Sequence, residues 1–239
     1  MLLTAMFHLS KWYLDCVTED GRVFVAYTAR LRWHALRLDY TAVLGGASSL
    51  KPCPAPERAG DRVEWRAPEV GVEGAWLALE APVSETLYDA DGSVEWNCIQ
   101  PRGSAQVRSG SERLGGLGYV EKLEMTVPPW RLPIDELHWG RLLTEAGSLV
   151  WIDWRGPHPK HLVLGNGGPA EPELFARLEL DHGLVLRDGA LAKTALAIIP
   201  KAERLFPWRI LRVRETKWRS RGMLDGVSGW AIHEVVRWP

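Results

Sequence analysis

Between Gly118 and Val127, read as a strand, the alternate residues Tyr119, Glu121, Leu123 and Met125 share one face. A carboxylate is thereby set among an aromatic and two aliphatic side chains. Burial disfavours the charged form of such a group, leaving a neutral acid able to protonate an alkene or assist a cyclisation. Tryptophans nearby would stabilise the developing cation through their π faces. The competing reading pairs Glu121 with Arg141 or another Arg on a neighbouring strand, and the spacing leaves both open.

A second acid has the same local setting. Trp230, Ile232, Glu234, Val236 and Trp238 alternate along the C-terminal segment, with His233 on the opposite face. Here too an Arg partner competes with a catalytic role. Asp153 faces with Trp151 and Arg155, so an ion pair with Arg155 is its expected state, and Asp15 follows Trp12 as a further acid to note. His138, alone on the face opposite Trp139 and Arg141, reads as a hydrogen-bonded structural residue. Metal and nucleophile signals are weak. His158-Pro159-Lys160-His161 lacks a Cys or Glu at ligand spacing, and no His-Glu-x-x-His or Gly-x-Ser-x-Gly run occurs. Gly115-Gly116-Leu117-Gly118 lacks the Lys-Ser/Thr of a phosphate loop. Neither a metal nor a cofactor is expected.

Composition narrows the partners. The 29 Lys and Arg balance 30 Asp and Glu, and they are interspersed, so neither nucleic acid nor an anionic membrane is implied. Thirteen tryptophans are the outlier; each offers a large apolar area and one N–H, which suits cores, pockets and interfaces. Three scattered cysteines, Cys16, Cys53 and Cys98, suit a reducing compartment. No stretch approaches the ~18 apolar residues of a membrane span, and the N-terminus carries no basic region followed by a cleavage site. A soluble, cytoplasmic protein is expected.

The elements that must position these residues are strands. Trp12–Val17 and Arg22–Tyr27 flank Thr18-Glu19-Asp20-Gly21, a strong hairpin signal. Arg30–Val43 reads as one long strand, and shorter strands follow through Gln100 at the spacing of an antiparallel meander. Gln106–Gly118, rich in Ser and Gly, marks the expected passage between two halves, 1–113 and 114–239. Pro128-Pro129 stops the strand that carries Glu121. Further strands are expected at Leu137–Leu143, Leu149–Trp154, Glu171–Leu180, Thr194–Ile199, Arg209–Ser220 and Trp230–Trp238, with one helical turn near Ala202–Phe206. Gly165-Asn166-Gly167-Gly168 is a tight turn. The fold class is all-β and barrel-like, because closure protects strand edges.

The order Val94-Glu95-Trp96, Pro101-Arg102-Gly103, Ala105, Gly118-Tyr119 with an acid at Glu121, and Trp139-Gly140-Arg141 carries a family resemblance. It resembles the lipocalin-like superfamily of carotenoid hydratases (hydroxyneurosporene synthases), AttH-type proteins and, more distantly, tocopherol cyclase. The resemblance covers residues 94–156 and implies two calycin-like antiparallel β-barrel domains packed together. It also implies an apolar ligand, with hydration, cyclisation or isomerisation of terpenoid double bonds in some members. Two departures matter: a Gly-Tyr-His-Asp run followed by Asn becomes Gly118-Tyr119-Val120-Glu121-Lys122, and the chain is shorter. The expected ligand is a terpenoid- or polyketide-like small molecule in a Trp-lined barrel cavity. Glu121 and Glu234 are the candidate acids. Trp12, Trp96, Tyr119, Trp139, Arg141, Trp154 and Trp230 are the candidate ligand contacts. The alternative is a non-catalytic lipophile-binding or protein-interaction module. Oligomeric state is left open.

Overall fold

The computed structural model describes residues 7–239. Two compact units divide the chain, Met1–Arg131 and Leu132–Pro239. In the first lie β1 (Phe7–Val17), β2 (Val23–Trp33), β3 (Leu36–Val43), β4 (Ser48–Ser49) and β5 (Glu57–Ala59). They are followed by β6 (Arg62–Ala67), β7 (Val72–Ala78), β8 (Val83–Asp89), β9 (Ser93–Ser109) and β10 (Glu112–Met125). These form one sheet in the order β4-β3-β2-β1-β10-β9-β7-β6-β5, with β8 also on β9.

The sheet curls. Leu14, Ala26, Val63, Trp65, Trp76 and Val120, drawn from strands across its whole width, share one buried cluster. Hydrogen-bonded pairing is open between β4 and β5, so the unit is a partial barrel. Side chains bridge the seam: Trp65 donates its indole N–H to the Pro54 carbonyl at 3.0 Å, and Cys53 is buried.

Two expectations change here. Arg30–Val43 is a hairpin, turning at His34 with φ +53°. No Gly, Asn or Asp marks that turn, so the hydrophobic pattern runs through it. Gln106–Gly118 is the β9–β10 hairpin inside the first unit, so the passage between units falls at Arg131/Leu132 and not at 113/114. Its glycines serve close approach: a Cβ at Gly116 would lie 2.1 Å from the Val17 carbonyl oxygen.

The second unit holds β11 (Glu136–Thr144), β12 (Ser148–Arg155), β13 (Lys160–Gly165) and β14 (Gly168–Pro169). After helix α1 (Pro172–Ala176) come β15 (Glu179–Leu180), β16 (Leu184–Ala190), helices α2 (Ala202–Leu205) and α3 (Trp208–Arg212), β17 (Arg214–Leu224) and β18 (Val227–Arg237). Sheet order is β14-β13-β12-β11-β18-β17-β15, with β16 also on β17. Asn166 and Gly167, at φ +52° and +74°, make the tight turn expected there. Glu171–Leu180, expected as a strand, is instead α1 followed by the short β15, with Pro172 suited to the first helical turn. Thr194–Ile199 forms turns rather than a strand. Leu174 and Phe175 of α1 pack on the core of Leu142, Leu149, Trp151 and Val163. The chain is thus all-β, built on two antiparallel sheets. No helix among the described residues is long and apolar enough to cross a membrane.

Candidate functional site

In β10, Tyr119 and Glu121 project from one face while Val120 enters the core cluster from the other. Glu121 therefore lies on the face turned away from the core cluster, and of the two readings left open by the sequence the inward one does not apply. That outward face is nonetheless buried, since Tyr13, Asp15, Trp96, Cys98 and Tyr119 are all at most 2% exposed. A register shift in the β9–β10 ladder, between Gly118 and Glu121, sets the aim of these side chains.

Trp96 donates its indole N–H to Glu121 Oε2 at 2.6 Å, and Tyr119 donates its hydroxyl to the same oxygen at 2.7 Å. Charge-assisted bonds of this length are strong and directional. Behind them, Cys98 hydrogen-bonds the Tyr119 hydroxyl. Burial holds the Tyr119 phenol well above its usual range, and the neighbouring Cys98 and Glu121 add to the effect. Tyr119 accordingly remains a protonated donor. Burial likewise pushes the Cys98 thiol well up, so it is no thiolate nucleophile.

A buried carboxylate, Asp15, anchors the same strand. Asp15 accepts the Tyr119 backbone N–H at 3.1 Å and the Tyr13 hydroxyl at 2.9 Å, while its backbone carbonyl accepts the Trp76 indole at 2.7 Å. The Tyr13-x-Asp15 alternation was the available signal in the sequence; the link to Tyr119, 104 residues away, was not.

Trp12, although also a candidate contact, points to the core face of β1, beneath Lys122 at 5.7 Å. It and the pair Trp96–Tyr119 occupy opposite faces of one sheet.

In the second unit, Glu234 sits between Trp139 of β11 and Lys217 of β17 in register, and it forms an ion pair with Lys217. The Lys217 ammonium, itself buried, lies 5.1 Å over the Trp139 ring. Arg141 is fully buried and donates to the Trp230 carbonyl at 2.7 Å. The Trp230 ring stacks beneath Arg219 and Arg221, at 4.7 and 4.9 Å. Trp154 is buried opposite Leu137. Asp153 pairs with Arg155 at 2.7 Å, as expected, and His138 pairs with Glu136. Lys217 went unrecognised in the sequence because only the β17–β18 register brings it to Glu234.

On the core side of β18, His233 stacks on Trp218 at 5.2 Å, and its Nε2 shares a 3.0 Å hydrogen bond with the Ser220 hydroxyl. Burial, with the nearby Lys217 charge, lowers the His233 pKa to about 4. Among the described residues no group of three His, Cys, Asp or Glu side chains is placed to hold a metal ion.

Comparison with solved structures locates this architecture. CghA, crystallised with Sch210972, superposes with a TM-score of 0.51 at 11% identity, covering 97% of this chain and 88% of that one. Kievitone hydratase from Nectria haematococca superposes at 0.50 and 10% identity, covering 95% and 88%. The chain has their fold. The lipocalin-like architecture expected from residues 94–156 is therefore present across almost the whole chain. A putative AttH from Nitrosomonas europaea gives a looser likeness, with a TM-score of 0.41 at 10% identity over 96% of this chain and 92% of that one. No family model matches the sequence, and no curated protein matches it significantly.

Proposed function

We propose that the protein binds an apolar, terpenoid- or polyketide-like small molecule against the face bearing Trp96, Tyr119 and Glu121. There it catalyses a cofactor-free, acid-assisted hydration, cyclisation or isomerisation. The observation that carries this reading is the double grip of Trp96 and Tyr119 on Glu121 Oε2. In hydration, Glu121 would deliver its proton to one alkene carbon, leaving a carbocation and a carboxylate. Water then adds to the cation and returns a proton to the carboxylate, so atoms and charge balance. The two donors stabilise the carboxylate as it forms, and they are already in place when the proton leaves. The adjacent indole of Trp96 favours the transient cation.

The fold also supports the reading. One protein that shares it was crystallised with Sch210972, and another is by name a hydratase. In this proposal each unit contributes one lipocalin-like half. Three free, buried cysteines favour a cytoplasmic setting.

The test begins with native mass spectrometry of the purified protein to identify a co-purified lipophile. Turnover of that compound is then compared between wild type and Glu121→Gln. Retained binding with lost turnover supports the acid role. Unchanged turnover removes Glu121 from the chemistry and leaves the alternative, a lipophile-binding module.

A further inference from the structure

The core face of β1, β2 and β3 is graded along its length. Deepest is an apolar row, Leu14–Ala26–Val43 in register. Next comes Trp12–Thr28–Thr41, where the two threonine hydroxyls share a 3.2 Å hydrogen bond. Ser10–Arg30–Asp39 follows, and the outermost row is His8–Arg32–Arg37. An open recess of about 220 Å³ spans the outer three rows, with Trp12 toward its floor and Arg32 at its rim.

Charge in and beside this recess is unbalanced in one place, where Arg37, outside the lining, stands next to Arg32 on the rim. Arg30 is matched by Asp39 at 3.1 Å. Glu124 takes His8 at 3.1 Å, the Ser10 hydroxyl at 2.9 Å and the Lys122 ammonium. Arg32 and Arg37 stand directly opposite each other across β2 and β3, and among the described residues neither has an ion-pair partner. Like charges in that position repel. Over β10, β1, β2 and β3 these rows hold four permanent cations, Lys122, Arg30, Arg32 and Arg37, against two carboxylates, Glu124 and Asp39, with Glu95 of β9 a third beyond Glu124.

We propose that this recess is a binding site for a small organic anion, a carboxylate with a short apolar or aromatic body. Its carboxylate sits between Arg32 and Arg37, relieving their repulsion and accepting charge-assisted hydrogen bonds from the guanidinium groups. Its body runs inward along the threonine layer toward the Trp12 ring. The volume sets the size class, because pockets for drug-sized ligands span about 300–1,000 Å³. The site lies on the opposite face of the sheet from Glu121 and is independent of the reaction proposed there.

Isothermal titration calorimetry with 3-phenylpropionate, set against its neutral counterpart 3-phenylpropanamide, tests the site. Wild type should bind the carboxylate at least about ten-fold more tightly than the amide, with affinity falling as salt is raised. Arg32→Gln should weaken carboxylate binding several-fold. The double variant Arg32→Gln/Arg37→Gln should erase the preference while melting no lower than wild type, since both side chains are exposed and repel one another. Glu121→Gln should leave carboxylate binding unchanged. Equal affinity for acid and amide, no measurable heat with either, a preference surviving in the folded double variant, or loss of binding in Glu121→Gln would each overturn the proposal.

Discussion

Glu121 and Glu234 have the same sequence surroundings, an acid within an alternating apolar and aromatic row, yet the two units treat them differently. In the first unit a carboxylate oxygen is gripped by the indole of Trp96 and the phenol of Tyr119. In the second, the acid is neutralised by Lys217, whose charge is itself cushioned on the Trp139 ring. Hydrogen-bond donors and an ammonium both favour the ionised carboxylate, but the donors leave its charge standing whereas the ammonium cancels it. In the reaction proposed above, the contrast makes Glu121 the acid and leaves Glu234 in an ion pair.

The sharpest way to break this comparison is to neutralise each acid in turn. Glu121→Gln is expected to lower turnover of the co-purified compound by about 10²–10⁴-fold, the usual range for a lost general acid. Glu234→Gln should leave the rate constant near wild type in single-turnover measurements at saturating substrate; a comparable loss there would erase the distinction. Next in size is Lys217→Met. Stranding Glu234 without its cation should destabilise the second unit by about 3–5 kcal/mol, read as faster hydrogen exchange in β17 and β18 with β9 and β10 unchanged.

Acid should separate the units in the same direction. His233 has a pKa of about 4 in the fold against 6.5 when exposed, so the fold favours its neutral form. That contribution is fully present above pH 6.5 and is lost as pH falls from 6.5 through 4, to a total of about 3 kcal/mol. Denaturant midpoints followed by exchange in β18 should drop across this window, and His233→Gln should flatten the decline. The smallest effect is expected for Trp96→Phe or Tyr119→Phe. Each removes one donor from Glu121 and should cost about 1–3 kcal/mol in stability, alongside a shifted pH–rate profile for the proposed reaction.

How far the sequence carried this picture depends on what each residue faces. Alternation identified Tyr119 and Glu121 as neighbours on one face, and Asp20-Gly21 and Asn166-Gly167 marked their turns, because both signals are local. Which face of β10 met the core was not legible. Tyr119 and Val120 are both fully buried, and charged residues follow on both faces, so neither side of the strand stands out as the core side. The partners Trp96 and Lys217 were hidden for another reason: cross-strand register, including the shift near Gly118, decides them. The His34 turn escaped notice because a positive φ there is met by histidine rather than glycine or asparagine. The division at Arg131/Leu132 was masked by a Ser- and Gly-rich hairpin that imitates a linker.

The seam between β4 and β5 sets the girth of the first unit by a different rule from that of a closed barrel. Full closure ties radius to strand number and stagger, so a barrel can widen only in discrete steps. Here side chains span the gap instead, among them Trp65 on the Pro54 carbonyl, buried Cys53 and the Lys51–Glu69 ion pair, and side-chain volume can vary continuously. Trimming or enlarging those few groups would resize the interior without breaking a single rung of the ladder. The girth of the unit is in this respect a matter of side-chain packing at one gap as well as of strand pairing.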